Sequence, residues 1–419
     1  MRPVFAGRFS FMEHGELIPH LFRIEYRKIV SVLSKRFGFD QIEVAEDIAS
    51  DTFLTATQSW GVGGVPPNPT AWLYHVARNK AKTYLQRSRV YDSKIAPVVK
   101  NGAADQAEID IDLSPQNIND SQLQMMFAVC HPVIPAEAQV GLSLRILCGF
   151  GIEEIADAFI TSKDTINKRL LRAKEKLREE KIKIELPDAA QLEGRMAPVL
   201  TTIYLLFNEG YYSVSQNSTL RKELCLEAMR LCTMLVENPV TDTPAANALL
   251  SLMCFHTSRF DARLSESGEL ILYEDQDTSR WNMEWIGKGG YFLNRSASGN
   301  KLSKYHLEAG IAYWHTQKNS TQEKWENILQ LYNQLLQIEY SPVAALNRTY
   351  ALSRANGKRQ AIVEAERLQL TGNHFYFILL GDLYTDIDPV KAKLHYEQAL
   401  RLAKTPADKQ AIQKKLDAL

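Results

Sequence analysis

The sequence predicts an all-α protein of more than one domain, and three observations carry that prediction. Nearly every long segment repeats its apolar residues at helical spacing, Pro and Gly clusters separate those segments, and alternating strand-like stretches are scarce. At 419 residues the chain exceeds one ordinary core, so two or three domains are expected. A hydrophobic content of 45% with 23% charged residues is that of a folded chain rather than a disordered one. Basic and acidic residues number 49 each, so attraction to an anionic partner would have to come from local charge. No run of about 18 apolar residues is present to span a bilayer. The N-terminal stretch "MRPVFAGRFSFMEHGEL" lacks a signal-peptide pattern. The five cysteines sit in apolar helical stretches, as small buried hydrophobes of a reducing compartment do. A cytoplasmic location is expected.

The first two helices follow from spacing. Phe22, Tyr26, Ile29, Val30, Leu33 and Phe37 share one set of offsets, and Ala45, Ala49, Thr52, Phe53, Ala56 and Trp60 repeat it. The second helix also carries Glu43, Glu46, Asp47 and Asp51, an acidic stripe beside its apolar face. The stripe is either a solvated face or a dock for a basic partner. A Gly/Pro break then leads into a helix starting at Pro69 and Thr70, in which Leu73, Val76, Ala77 and Tyr84 can face inward. Arg78, Asn79, Lys82, Arg87 and Arg89 lie on its other faces with Tyr74, a mixture suited to phosphate contact and base stacking, although a generic basic helix reads the same way.

From Asn101 to Asp120 there is no Lys or Arg and no visible helical period, which predicts an acidic linker, extended and mobile, within residues 93–120. Residues 121–186 then form a new helical unit. Ile152–Phe159 is a short helix, "ITSKD" a turn, and Ser162 or Asp164 a cap for the next helix. In that helix Ile166, Leu170, Ala173 and Leu177 would seat on the preceding helices, leaving Asn167, Lys168, Arg169, Leu171, Arg172 and Lys174 outward. Lys163–Lys183 holds nine basic residues against four acidic ones, as a recognition helix entering a phosphate-lined groove requires; a charged surface helix is the plainer alternative.

The order of these parts resembles the bacterial sigma-70 family of RNA polymerase initiation factors, in the extracytoplasmic-function group that keeps only regions 2 and 4, over about Leu17–Glu185. "AEDIASDTF" looks like the region 2 motif that grips the polymerase clamp helices, which implies core RNA polymerase as partner and places Glu46, Asp47 and Asp51 at that interface. "AWLYHVARNKAKTYLQR" is similar to the helix that opens and reads the −10 element of promoter DNA, which implies that role for Arg78, Asn79, Lys82, Arg87 and Arg89. "TINKRLLRAKEKL" is similar to the recognition helix for the −35 element, which implies that role for Asn167, Lys168, Arg169, Arg172 and Lys174. "LLFNEGYY" and "LYEDQDTSRWN" resemble motifs of a branch with a long C-terminal extension.

That extension, residues 187–419, reads as packed helices and becomes tetratricopeptide-like from about 325. Thr349, Ala361, Ala365 and Leu368 occupy one repeat; Phe377, Leu380, Gly381, Tyr384, Ala392, Tyr396 and Ala399 occupy a second. Such repeats would offer a concave surface to a regulatory protein. Glu274, Asp275 and Asp277 are close enough to hold a cation and Arg280 an anion. The favoured reading of "EDQDTSRW" is nonetheless a buried network in which Arg280 neutralises a carboxylate and Trp281 packs. His306 and His315 are isolated, and no metal spacing, phosphate loop or nucleophile elbow occurs. No catalytic residue, metal, cofactor or membrane contact is therefore expected. The other classes that the sequence leaves open are a helix-turn-helix regulator with a helical sensor domain, acting without polymerase, and a helical-repeat enzyme or scaffold.

Overall fold

The computed structural model describes residues 14–95, 111–159, 161–212, 218–263, 271, 273–403 and 406–419. Among them every regular element is helical, as the apolar spacing predicts. The chain divides into two compact units, Met1–Leu235 and Val236–Leu419.

The first unit begins with α1 (His14–Phe37), α2 (Ile42–Gly63) and α3 (Pro69–Ile95). All six apolar-face residues expected of α2 are buried, from Ala45 to Trp60. Gly38 and Gly64, both at positive φ, end α1 and α2 where a side chain would be strained. The Asn68 carboxamide accepts the amide of Ala71 and starts α3. Then come α4 (Pro115–Val129), α5 (Ala136–Leu142), α6 (Ile152–Ala158) and α7 (Lys163–Glu179), followed by α8 (Ala189–Tyr212) and α9 (Ser218–Glu237). Five residues after α5, Ser143–Leu147, continue it as a π-helical segment.

Two expectations are corrected here. The acidic linker was expected to reach residue 120, but Ile111 and Leu113 are buried and α4 starts at Pro115, capped by the Ser114 side chain. A Ser-Pro start with Ile118, Gln122 and Leu123 turned inward is a helix signal that the polar composition hid. Residues 96–110, the rest of that stretch, lie outside the described residues. Secondly, the compact unit does not stop near 186. α8 packs on α4 and α5, with Thr202 Oγ1 2.9 Å from Gln139 Oε1 and Arg195 Nη2 2.5 Å from the Phe127 carbonyl.

The second unit holds α10 (Pro244–Thr257), α11 (Phe260–Arg263), α12 (Met283–Ser296), α13 (Lys304–His315), α14 (Gln322–Ile338), α15 (Pro342–Asn356), α16 (Lys358–Leu368), α17 (His374–Tyr384), α18 (Pro389–Leu402) and α19 (Pro406–Asp417). From α13 onward each helix packs on the next, around one core running from Leu307 to Ile412. Small residues sit where helices cross: Ala361, Ala365, Ala392 and Ala399 are wholly buried. Gly381 of α17 lies under the Tyr396 ring of α18, whose hydroxyl donates to Asp382 at 2.6 Å. A Cβ on Gly381 would stand 2.4 Å from that ring. Gly381→Ala is therefore expected to destabilise this unit by about 1–3 kcal/mol through overpacking, read as a lowered thermal midpoint.

All five cysteines are buried thiols; burial pushes Cys130 up to about 11 and Cys148 and Cys254 up to about 12. Among the described residues no helix is long and apolar enough to cross a membrane, and no group of His, Cys, Asp and Glu could hold a metal ion.

Candidate nucleic-acid interface

The acidic stripe of α2 divides into two faces. Asp47 and Asp51, one turn apart, are exposed, and Asp51 pairs with Lys80 of α3 at 2.5 Å. Glu46 instead turns inward at 9% exposure, between two cations from later in the chain. Its carboxylate pairs with the Lys174 ammonium of α7 and, at 3.4 Å, with Arg145. Beside it both carboxylate oxygens of Glu43 accept from the single nitrogen Arg178 Nη2, at 2.9 and 2.7 Å.

On α3, Arg78 is half-buried and its Nε donates to the Ile111 carbonyl at 3.0 Å. It fastens the segment that leads into α4. Asn79 is exposed and lies 2.9 Å from His75 Nε2. Arg87 is exposed, Lys82 half-buried, and the side chain of Arg89 lies outside the described residues.

α6 and α7 pack against one another. Ser162 caps α7 by accepting the Thr165 amide at 3.2 Å, and Ile166, Leu170, Ala173 and Leu177 are buried as the spacing requires. Asn167, Lys168 and Arg172 share the exposed side with Leu171, itself 53% exposed. Two sequence-based assignments are corrected. Lys174 is buried against Glu46, because it falls in the same row as Ile166 and Leu170. Arg169 is drawn sideways, 3.0 Å from Glu137 of α5 and over the Phe159 ring at 5.6 Å. Neither presents a free cation outward.

Residues 21–90, spanning α1 from Leu21, all of α2 and most of α3, match the family described as sigma-70 region 2. Residues 195–297 match a family of unknown function, DUF6596. An uncharacterized protein of Rhizobium meliloti (strain 1021) is 30% identical over 387 residues, 91% of each chain. The chain belongs to the family of that protein. The RNA polymerase sigma-H factor of Pseudomonas aeruginosa is 26% identical over 155 residues, 36% of this chain and 80% of that one. Region 2 and this likeness support a sigma-70 family sigma factor. No solved structure matches the chain at a significant level.

Sequence reasoning missed the residues that tie sigma region 2 to the rest of its unit. Arg23 of α1 pairs with Glu154 of α6 and Glu223 of α9, and Arg27 reaches Glu227 of α9 at 2.5 Å. Burial alone would raise the Glu227 carboxyl, but Arg230 and Arg27 beside it hold it below its ordinary value. Arg230 also donates to the Leu147 carbonyl at 2.7 Å. A signal existed for the pairing of Glu46: it interrupts the otherwise apolar row of Ile42, Ala49 and Phe53, and a charge in such a row needs a partner.

Gly149, between the π-helical segment and α6, sets how closely that turn approaches α1. Its φ is +76°, and a Cβ would stand 2.7 Å from the Arg23 carbonyl oxygen. Gly149→Ala thus meets backbone on one side and strained backbone on the other. The strain alone should cost about 1–3 kcal/mol, seen as a lowered calorimetric midpoint of the first unit.

Proposed function

We propose that this chain is a sigma factor of the extracytoplasmic-function group that binds core RNA polymerase and directs promoter-specific initiation. The observation that carries the reading is a match to sigma-70 region 2 in one compact unit with the basic helix α7, read here as the second helix of a helix-turn-helix. Asp47 and Asp51 would meet cations of the polymerase, with Leu54, 56% exposed on the same side of α2, as apolar contact. Glu46 would join them only after its pairs with Lys174 and Arg145 part. Arg87, Lys82, Asn79 and Arg78 would meet DNA as it melts, with Arg89 following on α3. α7 would enter the major groove with Asn167, Lys168 and Arg172, and Leu171 suits a thymine methyl. Arg169 and Lys174 could serve only after release from Glu137 and Glu46. The helix pairs from α14 onward would act as tetratricopeptide-like repeats receiving a regulatory protein.

The test is reconstitution with core RNA polymerase and sequencing of the transcript ends made from genomic DNA. Discrete start sites that depend on the protein support the reading. Tight binding to a palindrome without polymerase, and no holoenzyme, would instead make it a regulator acting alone. Within the reading, Lys168→Ala or Arg172→Ala should relax base preference at one or two positions, each bidentate contact being worth about 1–3 kcal/mol of discrimination. Selection from a randomised promoter library measures this; a uniform loss over all sequences would reduce both residues to phosphate contacts.

A further inference from the structure

In the second unit a ring of polar and aromatic side chains surrounds Tyr273, where the segment before α12 meets α13, α14 and α15. Arg280 was expected to neutralise a carboxylate there. It is exposed instead, and Arg354 of α15 takes that place, pairing with Glu274 at 3.2 Å while Tyr350 donates to the same oxygen at 2.7 Å. Local proximity did not choose the partner; the approach of a distant helix did. Trp281 packs as expected, stacked at 6.4 Å on Tyr273.

Among the described residues, two other cations of the ring have no carboxylate partner. Lys324 of α14 is 2% exposed, and its ammonium donates only to neutral oxygens, the Tyr273 hydroxyl at 3.0 Å and the Gln317 carbonyl at 2.9 Å. Its other near neighbours are the faces of the Tyr273 and Trp325 rings, at 5.3 and 5.6 Å. Arg259 is 8% exposed, lies over the Tyr273 ring at 5.4 Å, and its Nε has no acceptor. Trp281, 6% exposed, has an indole N–H without a partner. His315, edge-on to Tyr273 at 4.9 Å, has an unpartnered Nδ1. Burial first, then Arg259 and Arg354, hold the Lys324 ammonium below its ordinary value; burial, Arg259 and Lys324 bring His315 down to about 3. Among the described residues, the site carries an excess of positive charge and unmatched donors around one ring.

A buried donor without an acceptor and a buried cation without an anion are both costly, and each is relieved by the same kind of group. We propose that this cluster binds a small oxoanion, the phosphate or carboxylate group of a metabolite, held by Lys324 and Arg259 with the Trp281 N–H as a neutral donor. The aromatic rings of Trp281, Tyr273 and Trp325 would wall the rest of such a ligand, Trp325 standing 5.6 Å from the Lys324 ammonium. The C-terminal unit would then sense a small anion, whether or not the chain serves polymerase.

The probes are inorganic phosphate and acetate, added to the full-length protein against sodium chloride at equal ionic strength. Two readouts are needed: thermal midpoint, and the indole N–H resonances of protein carrying 15N-tryptophan, with Trp281→Phe assigning its signal. Binding should raise the midpoint saturably by roughly 3 °C and move the Trp281 resonance downfield. Lys324→Met and Arg259→Gln should each abolish both responses. A response to phosphate alone or to acetate alone supports the site and names the anionic group. The proposal is overturned if chloride reproduces the midpoint shift and the Trp281 signal does not move. It is equally overturned if both variants respond as the wild type does. Should Lys324→Met fail to fold, Arg259→Gln and the resonance decide.

Discussion

Reversing Asp47 and Asp51 to lysine is expected to abolish assembly with core RNA polymerase while helical content stays unchanged. Both carboxylates are exposed, so the fold asks little of either. Asp47 has no ion pair among the described residues, which makes Asp47→Lys the cleaner single test. Asp51 holds Lys80 at 2.5 Å, and its reversal puts two ammonium groups together on the surface. An exposed pair of this kind is worth about 1 kcal/mol or less, so the domain should tolerate the change. At the proposed interface the same reversal replaces two attractions by two repulsions, costing several kcal/mol of binding. Gel filtration with core enzyme, together with circular dichroism, separates the outcomes. Normal holoenzyme from the double variant would remove α2 from the polymerase interface.

Glu46→Ala should act in the opposite place, on the protein before it meets any partner. The substitution leaves the Lys174 and Arg145 cations facing each other in a partly buried site. Removing one member of a buried pair costs about 3–5 kcal/mol, and the partial exposure of Arg145 argues for the lower end. Because tenfold in an equilibrium constant is about 1.4 kcal/mol, amides of α7 should exchange with solvent roughly 100-fold faster or more. Adding Lys174→Met to Glu46→Ala should restore much of the protection, since the stranded cation is then gone. Unchanged exchange in the single variant would mean that the pair contributes nothing to holding α7 on sigma region 2.

Much of the fold could be read because it depends on residues near one another in sequence. The face of α2, the Ser162 cap and the inward row of α7 all follow from a helical repeat and a local hydrogen bond. What could not be read was which charge meets which. Asp47 and Glu46 are neighbours with the same chemistry, yet one turns to water and the other inward. Helical phase gives part of the answer: Glu46 follows Ile42 by one turn, and Lys174 follows Leu170 by one turn. A carboxylate in one apolar row and an ammonium in another form a complementary pair of exceptions. Joining them requires knowing that α7 comes to rest on α2, and no local rule supplies that. Arg280 and Arg354 repeat the lesson at Glu274. The start of α4 was missed for a different reason, because its first two turns are mostly polar and Ile118 is their one aliphatic residue.

The pairs of Arg23 with Glu223 and of Arg27 with Glu227 each bridge 200 residues of chain. On a ribosome adding about 5–20 residues per second, α1 is therefore finished on the order of 10–40 s before α9 exists. Throughout that interval Arg27, nearly enclosed in the finished unit, has no carboxylate from α9 to receive it. The N-terminal unit can close this seam only once α9 has been made. Arg23 has Glu154 of α6 to meet earlier, so it is Arg27 that waits longest for its partner.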